Sequence, residues 1–211
     1  YAEKIVAIIN YTDIENFKPS KYPNNDVTRI GIICRVEQQK NMWNLIEAVN
    51  LVRQKTTQLF EIHWYGKNDY TSASQVEYIE KGYQKIREYG LQDNIIFEGR
   101  TKDVAGVIKS CDVMCLASFF EGFSNSLSEY ICCGKPVLCS DINENTIMVK
   151  DGINGFTFDP YNIESIAEAF IKFFNLDLDK KLQMGFKSRE IAEDLFNKEE
   201  FVEAYVKLIE N

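Results

Sequence analysis

Val113-Met114-Cys115-Leu116-Ala117-Ser118-Phe119-Phe120-Glu121-Gly122-Phe123-Ser124-Asn125-Ser126-Leu127-Ser128-Glu129-Tyr130-Ile131-Cys132-Cys133-Gly134-Lys135-Pro136-Val137-Leu138-Cys139 reads as one strand–loop–helix–strand unit. Residues 113–116 and 137–139 are short, unbroken apolar runs, the pattern of strands buried on both faces. Between them, residues 125–133 carry a helical pattern. Ser124, Asn125 and Ser126 are N-cap formers at its start, and Gly134 and Pro136 end it.

Upstream the same order repeats. Residues 29–34 read as a buried strand, 41–55 as a helix with Trp43, Leu45, Ile46, Val49 and Val52 on one stripe, and 60–65 as a strand stopped by Gly66. Residues 75–89 read as a helix closed by Gly90, 95–97 as a strand and 104–110 as a short helix. Strand and helix alternate five times, which predicts an α/β fold with a doubly wound parallel sheet covered by helices on both faces. Helices at about 163–174, 180–192 and 198–210 are expected on or beside the sheet. Residues 1–28, rich in turn formers and proline, read as a lead-in, leaving 29–211 as the folded domain.

The chain has 211 residues, enough for one large domain or two small ones. With 24 basic and 32 acidic side chains its net charge is −8, and it has no basic block, so nucleic acid is excluded as a partner. No apolar run is long enough to span a bilayer. Tyr1-Ala2-Glu3-Lys4-Ile5-Val6 lacks the ordered regions of a signal peptide, and the missing initiator Met suggests a fragment. None of the six cysteines falls in a CxxC pair and there is one histidine, so no metal site is expected. Reduced core thiols in a cytoplasmic protein are expected instead. Asp177-Leu178-Asp179 reads as a solvated helix start, His63 as a packed core histidine, and residues 65–69 as a stretch that could line a cleft. The sequon Asn10-Tyr11-Thr12 needs a secretory route that nothing else supports.

Ligands of such sheets bind at the carboxyl ends of the strands. After the first strand, Arg35 and Lys40 flank a short loop that leads into a helix. A helix N-terminus already favours an anion, so the two cations fit a diphosphate clamp. On spacing alone, two solvated charges on a connecting loop is the stronger alternative. After the fourth strand, Gly122 lets the chain turn, and the amides around Phe123, Ser124, Asn125 and Ser126 open the next helix. Glu121 and Glu129 would repel a phosphate there, but they suit the hydroxyls of a sugar. Glu129 alone reads equally well as a helix-end charge.

Residues 121–137 resemble the Glu-x7-Glu region of the retaining, GT-B-fold glycosyltransferases that use nucleotide-sugar donors. Four more segments follow in that family's order. They are the lead-in 10–19, the Arg35 loop with Lys40-Asn41, Ile96-Phe97-Glu98-Gly99-Arg100, and Asp151-Gly152-Ile153-Asn154-Gly155-Phe156. The resemblance implies a Rossmann-like domain, the C-terminal donor-binding half of a GT-B fold. Arg35 and Lys40 are then expected on the donor diphosphate, Glu121 facing the transferred sugar, and Glu129 on the ribose. Amides around Phe123, Ser124, Asn125 and Ser126 are expected at the phosphate and sugar, and Gly99 and Arg100 near the base, with Gly31 counted among the donor-site glycines.

It further implies a UDP- or GDP-sugar type of donor and no metal or other cofactor. The partner domain that binds the acceptor is expected to lie outside this chain, to make any membrane contact, and to be needed for transfer. Polysaccharide or glycolipid synthesis is the implied setting. Tyr130 stands where alanine is usual, which narrows the packing under the helix. Cys34 stands where glycine is frequent, and Ser124-Asn125 replaces the frequent Gly-Leu. A non-catalytic nucleotide-sugar module and a nucleotide-sugar epimerase of like fold are the alternatives.

Overall fold

The computed structural model describes residues 9–23, 25–142 and 144–210. Tyr1 to Val6, read above as lacking a signal peptide, lie outside the described residues. The quoted unit folds as expected, with β4 at Val113–Leu116, α4 at Asn125–Cys132 and β5 at Val137–Ser140. All four β4 residues are buried. Because side chains alternate along a strand, Val113 and Cys115 enter one core and Met114 and Leu116 the other.

Upstream of that unit lie β1 (Thr28–Ile33), α1 (Met42–Lys55), β2 (Phe60–Tyr65), α2 (Ala73–Glu88), β3 (Ile95–Gly99) and α3 (Val104–Ser110). The six strands form one parallel sheet in the order β3-β2-β1-β4-β5-β6. The sixth strand, β6 (Gly155–Phe158), and the single-turn helix α5 (Asn145–Met148) are additions to the sequence expectation. β6 begins with glycine and has only four residues, too few to show a period. Downstream, α6 (Ile163–Phe174), α7 (Leu178–Leu195) and α8 (Lys198–Glu210) fall where helices were expected.

Two cores hold the layers together. On one face Ile30, Ile32, Ile62 and Trp64 meet Leu45 and Val49 of α1 and Phe170 and Phe173 of α6. On the other, Met114, Leu116, Val137 and Cys139 meet Tyr130 and Ile131 of α4 and Ala192 of α7. Residues 9–23 form no regular element but are packed rather than loose. Ile9, Tyr11, Ile14 and Phe17 lie against the second core. Arg189 of α7 donates to the carbonyls of Ile14, Phe17 and Cys132.

All six cysteines are unpaired, and five of them are buried. Asp177 caps α7 by accepting the Lys180 amide, as a helix-start residue should. No described helix is long and apolar enough to cross a membrane. Among the described residues no group of three or more His, Cys, Asp or Glu could hold a metal ion.

Candidate functional site

A parallel sheet puts every loop that follows a strand at one edge. The strand order reverses between β1 and β4, the point where sheets of this kind commonly place their ligand crevice. Three contacts tie the loops after these two strands. The Phe119 amide donates to the Gln39 carbonyl at 2.9 Å. Gln39 Nε2 donates to the Phe120 carbonyl at 2.7 Å. Lys40 Nζ meets Glu121 Oε1 at 2.5 Å. The last two side chains are only 12% and 10% exposed, so the pair is close to a buried one.

The family resemblance gives Lys40 and Glu121 different contacts, diphosphate and sugar. The structure pairs them with each other. An ammonium has three donors and a carboxylate several lone pairs, so each keeps capacity for a further partner.

The loop that carries Lys40 is stiff. Cys34 donates its amide to the Tyr65 carbonyl, Val36 to that of Lys67, and Trp64 Nε1 donates to the Cys34 carbonyl at 2.9 Å. Gly66 sits so close that a Cβ there would lie 1.9 Å from Cys34 O. A 3-10 turn over Gln38–Lys40 ends at Asn41, which has φ 59° and starts α1. Asn41 is buried, and its Nδ2 donates to the Pro160 carbonyl at 2.8 Å. Burial pushes the Cys34 thiol up to about 12, which leaves it inert.

Arg35 projects from this loop, 63% exposed, with Glu37 at 3.0 Å. It lines a cleft of about 240 Å³ together with Ile33, Tyr65, Gly66, Arg100 and Val104. The expectation that residues after the second strand reach a cleft therefore holds for Tyr65 and Gly66. Gly99 ends β3 at φ 74°, and its carbonyl accepts the Gly66 amide. Arg100 is mostly exposed and 3.8 Å from Asp69.

After β4, Ser124 caps α4, and its Oγ accepts the Leu127 amide. The amides of Asn125 and Ser126 belong to the first turn and have no intrahelical acceptor. Phe123 is half-buried and turns its ring toward Phe196, centroids 6.2 Å apart. Asn125 accepts a hydrogen bond from Asn10 Nδ2, which ties up the sequon asparagine. Glu129 lies in a separate cavity of about 540 Å³ with Tyr11, Asp13, Asn125, Phe201 and Tyr205. Burial lifts its carboxyl from an ordinary 4.5 to about 7.

Three expectations change. Gly31 lies inside β1, not in the loop after it, and a Cβ there would meet Cys111 Sγ and the Met114 side chain at 2.7 Å. Its small size serves sheet packing. Gly122 has neither a positive φ nor any atom within 4 Å of a Cβ placed on it, so the turn does not require glycine. Arg35 and Glu129 occupy neighbouring cavities, not one. His63 is buried as expected, but each ring nitrogen meets a carboxylate, Glu98 at 2.6 Å and Glu61 at 3.0 Å. Sequence reasoning missed Tyr130 as anything but packing, because its hydroxyl partner, Ile33, is 97 residues away.

The model of the glycosyl transferases group 1 family matches residues 13–191. The chain belongs to this family. One relative is the poly(ribitol-phosphate) alpha-N-acetylglucosaminyltransferase of Staphylococcus aureus, 24% identical over 98% of the chain and 39% of the relative. Another is the poly(glycerol-phosphate) alpha-glucosyltransferase of Bacillus subtilis, 28% identical over 66% of the chain and 20% of the relative. This group 1 glycosyltransferase domain thus spans under half the length of either. Among solved structures, a TarM variant from S. aureus in complex with UDP superposes with a TM-score of 0.84 at 23% identity, covering 98% of this chain and 39% of that one. Anabaena HepE in complex with UDP and glucose gives 0.83 at 21% identity, covering 97% and 56%. These likenesses agree with the Rossmann-like, GT-B type of sheet described above.

Proposed function

We propose that this chain is the donor-binding half of a retaining glycosyltransferase that moves a sugar from a nucleoside-diphosphate sugar to an acceptor. One observation carries it: the loops after β1 and β4 meet at the point where strand order reverses, with Lys40 against Glu121 beside the N-terminus of α4. Relatives named for sugar transfer to polyol-phosphate polymers and fold neighbours bound to UDP support the substrate class.

Cleavage of the donor builds negative charge on the leaving diphosphate. Arg35, Lys40 and the first-turn amides of α4 stabilise it electrostatically, and no metal is needed for that. Glu121 faces the sugar and Glu129 the ribose hydroxyls, with Arg100 and Gly99 near the base. A second domain supplies the acceptor wall, so the 211-residue chain alone transfers no sugar. Polysaccharide or glycolipid assembly is the setting, and six unpaired thiols suit the cytoplasm.

The test is transfer by the full-length protein from UDP-, GDP- and ADP-sugars, with and without EDTA, beside Glu121→Gln. Transfer from one of them, insensitive to EDTA and reduced at least about 100-fold in the variant, is expected. A wild-type protein that binds none of these nucleotides and transfers no sugar refutes the proposal. A variant with unchanged transfer removes Glu121 from the chemistry.

A further inference from the structure

In a parallel sheet each interior strand bonds to a neighbour on both sides. β1 pairs with β2 along its whole length, up to Ile33↔Tyr65. On its other side, pairing with β4 covers only Ile30↔Val113 and Gly31↔Met114. Beyond that point β4 makes no further pairing with β1. The last residue of β1, Ile33, would be left with an unpaired N–H and C=O on that side, each costly if buried.

Two side chains of α4 replace the absent strand. The Ile33 amide donates to the Tyr130 hydroxyl at 2.8 Å, and the same hydroxyl lies 3.4 Å from the Ile33 carbonyl. Ser126 Oγ donates to that carbonyl at 2.8 Å. Tyr130 is fully buried, so its ring is held by packing while its oxygen serves the backbone. Desolvation holds the phenol protonated, able to accept and donate at once.

Ile33 is the residue just before Cys34 and Arg35. It also lines the Arg35 cleft, whereas Asn125 and Glu129 of α4 line the neighbouring cavity. The Tyr130–Ser126–Ile33 bridge is thus a mechanical link between the loop after β1 and the helix after β4.

We propose that Tyr130, with Ser126, is a positioning residue for donor binding: it fixes the end of β1 against α4, so that the loop after β1 and the amides of α4 are set at one spacing for the diphosphate. This rests on the donor-binding function proposed above. Neither hydroxyl touches the donor. They act through the backbone of Ile33, and a rigid spacing saves the donor the cost of ordering the loop.

Tyr130→Phe keeps the ring and deletes the bridge oxygen, and Ser126→Ala deletes the second bond. The experiment is calorimetric titration of the full-length protein and both variants with UDP, and with GDP and ADP in parallel, together with thermal unfolding. Stoichiometry reports the folded fraction and Kd reports the site. For the nucleotide the wild type binds, Kd is expected to rise about fivefold to tenfold in Tyr130→Phe and about threefold in Ser126→Ala, the worth of one buried hydrogen bond or somewhat less. Stoichiometry is expected near the wild-type value. A merely structural role would lower Tm or stoichiometry and leave Kd in place, and that outcome overturns the proposal. If Tyr130→Phe does not fold, Ser126→Ala, a partly exposed position, decides alone on the same criterion. A wild type that binds none of the three nucleotides overturns the donor-binding function and the bridge with it. Wild-type binding with unchanged Kd in the variants overturns the bridge only.

Discussion

Glu129→Gln should stabilise the protein at pH 8 and do so by several-fold less at pH 5. In the folded chain the Glu129 carboxyl sits in a cavity walled by Tyr11, Phe17, Phe201 and Tyr205, and burial alone lifts it to about 7. In the unfolded chain it titrates near the ordinary 4.5. Between these values the folded state holds a proton that the unfolded state has released. Stability from this group therefore falls as pH rises from about 4.5 to about 7, then stays level. At 1.36 kcal/mol per pH unit the full gap is about 3 kcal/mol. Water reaching the half-buried carboxyl reduces this to about 2 kcal/mol. Glutamine has the same shape and no charge to desolvate. Urea unfolding of the 211-residue chain at the two pH values measures the difference. An equal offset between wild type and variant at pH 5 and pH 8 would refute the reasoning, since only a titrating group makes the offset depend on pH. Donor affinity should move the opposite way, strengthening through pH 7, because sugar hydroxyls donate best to the ionised carboxylate.

Lys40→Met should strand the nearly buried Glu121 carboxylate and cost about 3 kcal/mol in urea unfolding, while Lys40→Met combined with Glu121→Leu recovers most of it. Gly66→Ala forces a methyl toward the Cys34 carbonyl and should cost about 2 kcal/mol, read as a fall in Tm of about 4–8 °C.

The order of strands and helices was legible because each element carries its own local signal. β4 is an unbroken apolar run, α4 has a cap at Ser124 and a stop at Gly134, and both lie within a residue of where the pattern puts them. β6 was not legible, since Gly155–Phe158 forms only by pairing with β5 and has no periodicity of its own. The site was legible in its charges and not in their partners. Arg35, Lys40, Glu121 and Glu129 stand out as residue types after strands, yet the Lys40–Glu121 contact spans 81 residues and the Ile33–Tyr130 bond 97. Such contacts depend on how far β4 pairs with β1, and no local pattern encodes that.

The two carboxylates of the Glu-x7-Glu stretch, eight positions apart, stand in opposite electrostatic settings. Glu121 has an ammonium at 2.5 Å, whereas Glu129 is set by burial, with no ion pair to it among the described residues. The Glu121 carboxylate has its charge matched by the Lys40 ammonium. An unpaired one is held at the edge of protonation and gains most from a ligand whose hydroxyls supply the missing donors. The two glutamates are therefore not interchangeable. Removing the charge of Glu121 strands Lys40, whereas removing that of Glu129 relieves the fold. A single stretch thus holds one ion-paired and one desolvated carboxylate, and Tyr130, which bridges to β1, follows Glu129 directly on the same helix turn.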